Sequence, residues 1–289
     1  MPELPEVETV RRGLEPVMTG KSVIRLEARR PDLRFPLPER MSERLAGRTV
    51  EHLGRRSKYL VARMSGGDTL IMHLGMSGRF TIGDLRPGAF THETGGDPKH
   101  DHVVFEMSGG HRIVYNDPRR FGFMLLLADG DYETHPLIAN LGVEPLGNGF
   151  TSDYLAGRAR GRSTDLKTFL MDQRNVAGLG NIYVAEALFR AGLSPNRRAQ
   201  SLATVKGRPT EYAERLVSAI RTVLTEAVEA GGSTLRDYRS ADGALGYFQH
   251  RFLVYGRDGE ACARPGCRGI VRRSIKAGRS TFACSTCQR

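Results

Sequence analysis

Proline at position 2 followed by glutamate at position 3 is the pair in this chain best equipped for covalent chemistry. Initiator methionine is normally removed when the second residue is small, and proline qualifies. Removal would leave Pro2 as a terminal secondary amine with a carboxyl group beside it. An amine nucleophile next to a proton donor can form and resolve a Schiff base. Attack requires the neutral amine, and reference α-amino groups titrate at about 7.7–8.0 against about 10.4 for lysine. That gap, about 3.4 kcal/mol, favours the terminus over Lys58 as the nucleophile. Proline's amine is intrinsically more basic than most termini, and the dipole of a helix starting just after it would oppose that basicity.

The far end of the chain carries a second chemical signal, Cys262-x4-Cys267-x16-Cys284-x2-Cys287. Two closely spaced pairs separated by a hairpin-length segment match a structural zinc site with four thiolate ligands. Free thiols and a redox pair are the alternatives. A module this short and polar cannot fold on its own core, so metal would supply the missing stability. Between the pairs runs Arg272-Arg273-Ser274-Ile275-Lys276-Ala277-Gly278-Arg279-Ser280, which reads either as a basic hairpin tip reaching for DNA or as a solvated turn.

The elements that must position these ends differ along the chain of 289 residues. Leu4, Val7, Val10 and Leu14 recur at helical spacing, with Pro5 in the first turn and Glu6 and Glu8 at the positive end of the dipole. From Ser22 to Leu127 the pattern is short β-like segments: Ser22–Ala28, Thr49–Leu53, Tyr59–Met64, Thr69–Leu74, Val103–Met107, Arg112–Tyr115 and Phe123–Leu127. Gly, Pro and Asp clusters separate them, as in a mostly antiparallel sandwich. Asp84–Lys99 reads as a mobile loop. Helical segments follow at Asp165–Gln173, Ile182–Ala191 and Glu211–Ala230, the last stopped by Gly231-Gly232. The expected class is α+β. Residues 1–135 would hold the N-terminal helix and sandwich, 136–150 a linker, 151–246 a helical DNA-binding domain, and 247–289 a zinc module.

A formal net charge of +11 points to a polyanion partner, because neutralising phosphates dominates non-specific nucleic-acid affinity. Six lysines against 37 arginines fit a high-GC genome equally well, but codon bias does not produce the net excess. No apolar run approaches the roughly 20 residues of a membrane-spanning helix, and no secretion signal opens the chain, so a cytoplasmic protein is expected.

With both ends in view, the chain resembles the bacterial formamidopyrimidine-DNA glycosylases. The matching stretches are Pro2-Glu3-Leu4-Pro5-Glu6-Val7-Glu8-Thr9, Arg56-Ser57-Lys58-Tyr59-Leu60, His73-Leu74-Gly75-Met76-Ser77-Gly78 and Lys99-His100-Asp101-His102-Val103. They continue with Asp117-Pro118-Arg119-Arg120-Phe121-Gly122, Gly178-Leu179-Gly180-Asn181-Ile182-Tyr183 and Tyr255-Gly256-Arg257, in family order over essentially the whole chain.

The resemblance implies a monomeric DNA glycosylase and abasic-site lyase of base excision repair. It would act on double-stranded DNA containing oxidised purines, chiefly 8-oxoguanine and formamidopyrimidines, in the cytoplasm and associated with the nucleoid. It implies Pro2 as the nucleophile. Glu3 would be the proton donor to the base or sugar ring, which requires a carboxyl pKa raised by burial against the pull of the helix dipole. Lys58 would be a second donor assisting strand elimination, and Arg279 the arginine of the final elimination. Met76, Arg119 and Phe121 would fill the hole left by an extruded base. His100, Arg119, Arg162 and Asn181 would contact DNA. Gly178–Asn181 resembles the family's helix–two-turn–helix, whose Gly-rich turn lets backbone N–H groups approach a phosphate. Ser240–Gln249 resembles the loop that closes over the base, and the four cysteines would bind one zinc ion in a C-terminal ribbon. The alternatives are endonuclease VIII-like action on oxidised pyrimidines with the same scaffold, and a non-catalytic binder of damaged DNA.

Overall fold

The computed structural model describes residues 1–84, 97–233 and 247–289. Most of the expected loop Asp84–Lys99 lies outside them, as do residues 240–246 of the expected closing loop. Among the described residues no helix is long and apolar enough to cross a membrane. The chain divides into two compact units, Met1–Ala139 with Ala230–Tyr247, and Asn140–Glu229 with Phe248–Arg289. These boundaries differ from the stretches read from sequence: the cysteine module shares a unit with the helices, and Ala230–Tyr247 groups with the N-terminal part.

The first unit opens with helix α1 (Leu4–Met18). Pro5 suits its first turn, and Glu3 and Glu6 cap it reciprocally, with the Glu3 N–H donating to Glu6 Oε2 at 2.8 Å. Val7, Val10, Leu14 and Met18 form the buried stripe. It shares one core with strands β1 (Val23–Ala28), β2 (Val50–Arg56), β3 (Tyr59–Met64), β4 (Thr69–His73), β5 (Arg79–Asp84), β6 (Asp101–Met107), β7 (His111–Asn116) and β8 (Phe123–Leu127). Each fully buried aliphatic side chain of that stripe contributes about 1.5–3 kcal/mol. The short helix α2 (Met41–Leu45) precedes β2, and α3 (Pro136–Ala139) closes the segment. Two four-stranded antiparallel sheets result, ordered β1-β6-β7-β5 and β2-β3-β4-β8. Strand β5 escapes the sequence reading because it lies at a sheet edge, where one-sided pairing and polar outward positions dilute the alternation.

The second unit contains α4 (Ser152–Ala159), α5 (Leu166–Met171), α6 (Asn181–Ala191) and α7 (Glu211–Glu229), with a hairpin of β9 (Arg272–Lys276) and β10 (Arg279–Ala283). Asp165 caps α5 and Thr151 caps α4 through their side chains. Two turns over residues 172–180 join α5 to α6, giving the expected helix–two-turn–helix.

Helix α6 explains why the cysteine module belongs to this unit. Its Ala185 and Phe189 share a core with Val254, Cys262, Val271, Phe282 and Cys284. Its Glu186, fully buried, accepts backbone N–H groups from Leu253 (3.0 Å), Val254 (3.0 Å) and Tyr255 (2.8 Å). A carboxylate surrounded by backbone donors tolerates burial that it would otherwise resist.

Candidate nucleic-acid site

In the first unit Pro2 and Glu3 are buried at the start of α1, Glu3 being only 4% exposed. While Met1 is attached the Pro2 nitrogen is an amide with no nucleophilic lone pair, and removal of Met1 turns it into a secondary amine. Glu6, 2% exposed, binds the Glu3 amide with one oxygen. With the other it accepts the Ser233 N–H (2.8 Å) and hydroxyl (2.9 Å). One carboxylate thus holds both the start of the chain and the residue that bridges to Tyr247.

Lys58, 8% exposed, sits in the two-residue turn between β2 and β3, flanked by the pair Arg56 and Tyr59. Ser57 before it has φ +55°, at the hairpin position where glycine is preferred. Such strain persists only where surrounding contacts over-determine it. Here Arg55 Nη1 donates to the Ser57 carbonyl at 2.8 Å, while Arg55 Nε reaches Glu8 of α1 at 3.3 Å. Burial pushes the Glu8 carboxyl up, but hydrogen bonds and charge from Arg11, with Arg12 and Arg55, hold it below its usual value. The chain Glu8–Arg55–Ser57 therefore ties the turn bearing Lys58 to the helix that begins with Glu3.

His73 at the end of β4 belongs to this neighbourhood, although the sequence reading gave it no role. Its Nδ1 accepts the Gly75 N–H at 3.1 Å, and its ring stacks on Phe123 at 5.0 Å. Burial first, then the charges of Lys58 and Arg34, lower its pKa to about 4. The imidazole is therefore neutral at pH 7 and presents Nε2–H as a donor. A depressed folded-state pKa contributes stability that is complete above pH 6.5 and is lost as pH falls toward 4, about 3 kcal/mol in all. His73→Asn keeps the acceptor for Gly75 but removes the titration. The unfolding free-energy difference between wild type and this variant should drift through that window. A difference that stays flat from pH 4 to 7 would contradict the buried, neutral imidazole.

Met76, Arg119 and Phe121 lie on the β4–β5 and β7–β8 connections. Met76 is 38% and Phe121 45% exposed, and the Arg119 guanidinium lies 4.8 Å from the Phe121 ring centroid. His100 is half-buried at the end of a single 3₁₀ turn, and its carbonyl accepts the Asp117 N–H.

In the second unit Asn181 is the first residue of α6, and Gly180 precedes it as a cap without a side chain. Gln173 pins the turn, accepting the Gly178 N–H at 2.8 Å and donating to the Leu179 carbonyl at 2.7 Å. Asn181 Nδ2 donates to the Ser280 carbonyl at 3.0 Å, next to Arg279. Lys167, which no sequence motif marks, meets the same carbonyl at 2.8 Å and Thr281 Oγ1 at 2.6 Å. Burial, then the charge of Arg279, lowers its pKa to about 8. Arg279 itself is exposed beside a tight turn whose Ala277 and Gly278 both have positive φ, the geometry favoured in two-residue hairpins. Arg162 is exposed between α4 and α5 and does not join this group.

The four cysteine Sγ atoms lie within 4.8 Å of one another, with Cys262–Cys287 at 3.7 Å and Cys267–Cys284 at 3.8 Å. A disulfide requires about 2.05 Å. Four thiolates about 2.3 Å from a central tetrahedral ion would stand about 3.8 Å apart. Backbone N–H groups of Arg264 and Gly269 point at Cys262 and Cys267 Sγ, at 3.5 and 3.4 Å, which suits sulfurs carrying negative charge. These four residues can hold a metal ion.

The chain is similar to known proteins over its whole length. Residues 1–124 match the model of the formamidopyrimidine-DNA glycosylase N-terminal domain, and residues 141–239 that of the formamidopyrimidine-DNA glycosylase H2TH domain. Formamidopyrimidine-DNA glycosylases of Azorhizobium caulinodans and Beijerinckia indica are 58% and 60% identical, each covering 100% of both chains. Among solved structures, the MutM (Fpg) protein of Thermus thermophilus is 42% identical with a TM-score of 0.81, covering 99% of this chain and 98% of that one. A Lactococcus lactis Fpg bound to abasic-site DNA is 32% identical with a TM-score of 0.83, covering 99% of each chain. A MutM in complex with DNA containing carbocyclic 8-oxo-G is 32% identical with a TM-score of 0.83, covering 100% of each chain.

Proposed function

Because the chain belongs to the formamidopyrimidine-DNA glycosylase family, we propose that it excises oxidised purines from duplex DNA and then cleaves the abasic site through a Schiff base at Pro2. The observation that carries this reading is the buried Pro2-Glu3 pair at the positive end of α1, tied through Glu8 and Arg55 to the turn holding Lys58.

Extruding a nucleotide costs a few kcal/mol, least for a damaged base. Met76, Phe121 and Arg119 offset that cost by filling the vacated stack, where the guanidinium can also meet the estranged base. The Pro2 nitrogen then attacks C1′, and the base leaves with the glycosidic electron pair and takes a proton from Glu3. The amine returns its proton to Glu3, which passes it to the departing ring oxygen as the iminium forms. Removal of a C2′ proton expels the 3′ phosphate with help from Lys58. Removal of a C4′ proton expels the 5′ phosphate with help from Arg279, and water releases the sugar remnant, leaving a one-nucleotide gap. His100, Arg162, Asn181 and the His73 Nε2–H would bind the DNA backbone. Zinc on Cys262, Cys267, Cys284 and Cys287 would hold the hairpin that presents Arg279. The protein would act as a monomer in the cytoplasm, on nucleoid DNA, and its charge of +11 suits that polyanion.

The test is borohydride trapping on a duplex carrying one 8-oxoguanine opposite cytosine. The expected result is a covalent adduct whose crosslinked peptide begins at Pro2. Binding without an adduct there, but with one on thymine glycol, would transfer the protein to the oxidised-pyrimidine reading. No adduct even on an abasic site would leave a non-catalytic binder.

A further inference from the structure

We propose that Asp117 and Ser77 form a latch that sets the spacing of Met76 against Arg119 and Phe121, an inference that rests on reading those three as the residues that replace the extruded base. Asp117 is fully buried and Ser77 5% exposed, and neither touches the reaction in the scheme above. Asp117 Oδ1 accepts the Ser77 hydroxyl at 2.6 Å, a short contact typical of a charged acceptor. Its Oδ2 accepts the Gly122 N–H at 2.8 Å and the Tyr115 hydroxyl at 3.3 Å. Ser77 Oγ in turn accepts the Arg119 N–H at 3.2 Å. The carboxylate therefore binds one connection through Ser77 and the other through Gly122, and the serine hydroxyl returns the link to Arg119.

The surrounding backbone leaves this carboxylate little freedom. The Asp117 N–H donates to the His100 carbonyl at 3.0 Å, and the Asp117 carbonyl meets His102 Nε2 at 2.9 Å and the Arg120 N–H at 3.2 Å. The two connections also touch directly. Gly75 has φ +61°, and a Cβ there would run into the Gly122 nitrogen and the Phe121 carbonyl carbon. Arg120, at φ +53°, separates Arg119 and Phe121, whose side chains still meet. A rigid root beneath exposed tips is what insertion into a base stack requires, since ordering the tips at the moment of binding would cost entropy. Asp117 and Ser77 are thus positioning residues, acting through side chains they do not themselves accompany into DNA.

The test compares two substrates that differ in their need for void filling. One is 8-oxoguanine in a duplex, assayed by single-turnover excision. The other is a preformed abasic site in a single-stranded oligonucleotide, assayed by borohydride trapping, where no stacked base has to be replaced. For Ser77→Ala and for Asp117→Asn, the ratio of duplex to single-strand rates should fall about 30-fold, as expected from losing one hydrogen bond to a charged group. The double variant should be little worse than the stronger single one, because both remove the same link. Phe121→Ala should shift the ratio in the same direction. Parallel loss of both rates, or an unchanged ratio, would overturn the latch and leave a merely structural network. If Asp117→Asn fails to fold, Ser77→Ala, which deletes one hydroxyl, decides alone. Wild-type protein that traps on neither substrate would sink the catalytic reading instead, so the two failures are distinguishable.

Discussion

Glu3→Gln should slow excision of 8-oxoguanine by about 10²–10⁴-fold, the range typical of losing a positioned general acid. The substitution is nearly isosteric, and the amide oxygen can still accept the Glu6 N–H that completes the cap of α1. Stability should therefore change by no more than about 1 kcal/mol, the typical scale of a cap. The Glu6 side of the cap, which binds the backbone of residue 3, is untouched. Single-turnover excision and a urea unfolding curve separate chemistry from folding. A Gln variant that excises at the wild-type rate would remove Glu3 from the mechanism.

The second large effect is expected at the cysteine cluster. Cys284 is fully buried and shares a small core with Val254, Val271 and Phe282. Structural zinc contributes about 10–16 kcal/mol of apparent free energy in isolated finger peptides at pH 7. A module whose strands are five residues long has no comparable substitute. Cys284→Ala should eliminate bound metal and unfold the β9–β10 hairpin, with a loss of DNA affinity of about 100-fold or more, equivalent to two charged contacts. Atomic absorption on purified protein, paired with a DNA titration, measures both. Undiminished metal content in the variant would show that the four sulfurs do not share an ion.

Local patterns were legible in the sequence, and distant partnerships were not. The α1 stripe and the cysteine spacing lie within short windows, and both return as a buried helix face and a cluster of sulfurs. Short β-like segments made the sandwich legible, and family order the two-turn connection. Lys167 shows where a window stops working: its partners Ser280 and Thr281 lie 113 and 114 residues along the chain. Glu6 and Ser233 are 227 residues apart, so no local pattern ties the segment after α7 to the N-terminal unit. His73 lies inside a family motif, but its neutrality depends on burial and on charges brought near by folding, which no local window shows. The positive φ of Ser57 has no glycine to announce it, and the Arg55 hydrogen bond that accompanies it appears only in the folded turn.

Helix α6 carries Asn181 at its first residue, Glu186 next, and Phe189 beyond, about 12 Å along the axis from Asn181. One end faces the turn that joins it to α5, and the other grips the segment leading to the cysteines. A single inserted residue would advance one end by about 1.5 Å and rotate it by about 100°, turning Glu186 away from its three amides. The helix therefore works as a ruler with discrete graduations. An insertion in a flanking loop leaves that spacing intact, whereas one inside the helix parts an end from its partners.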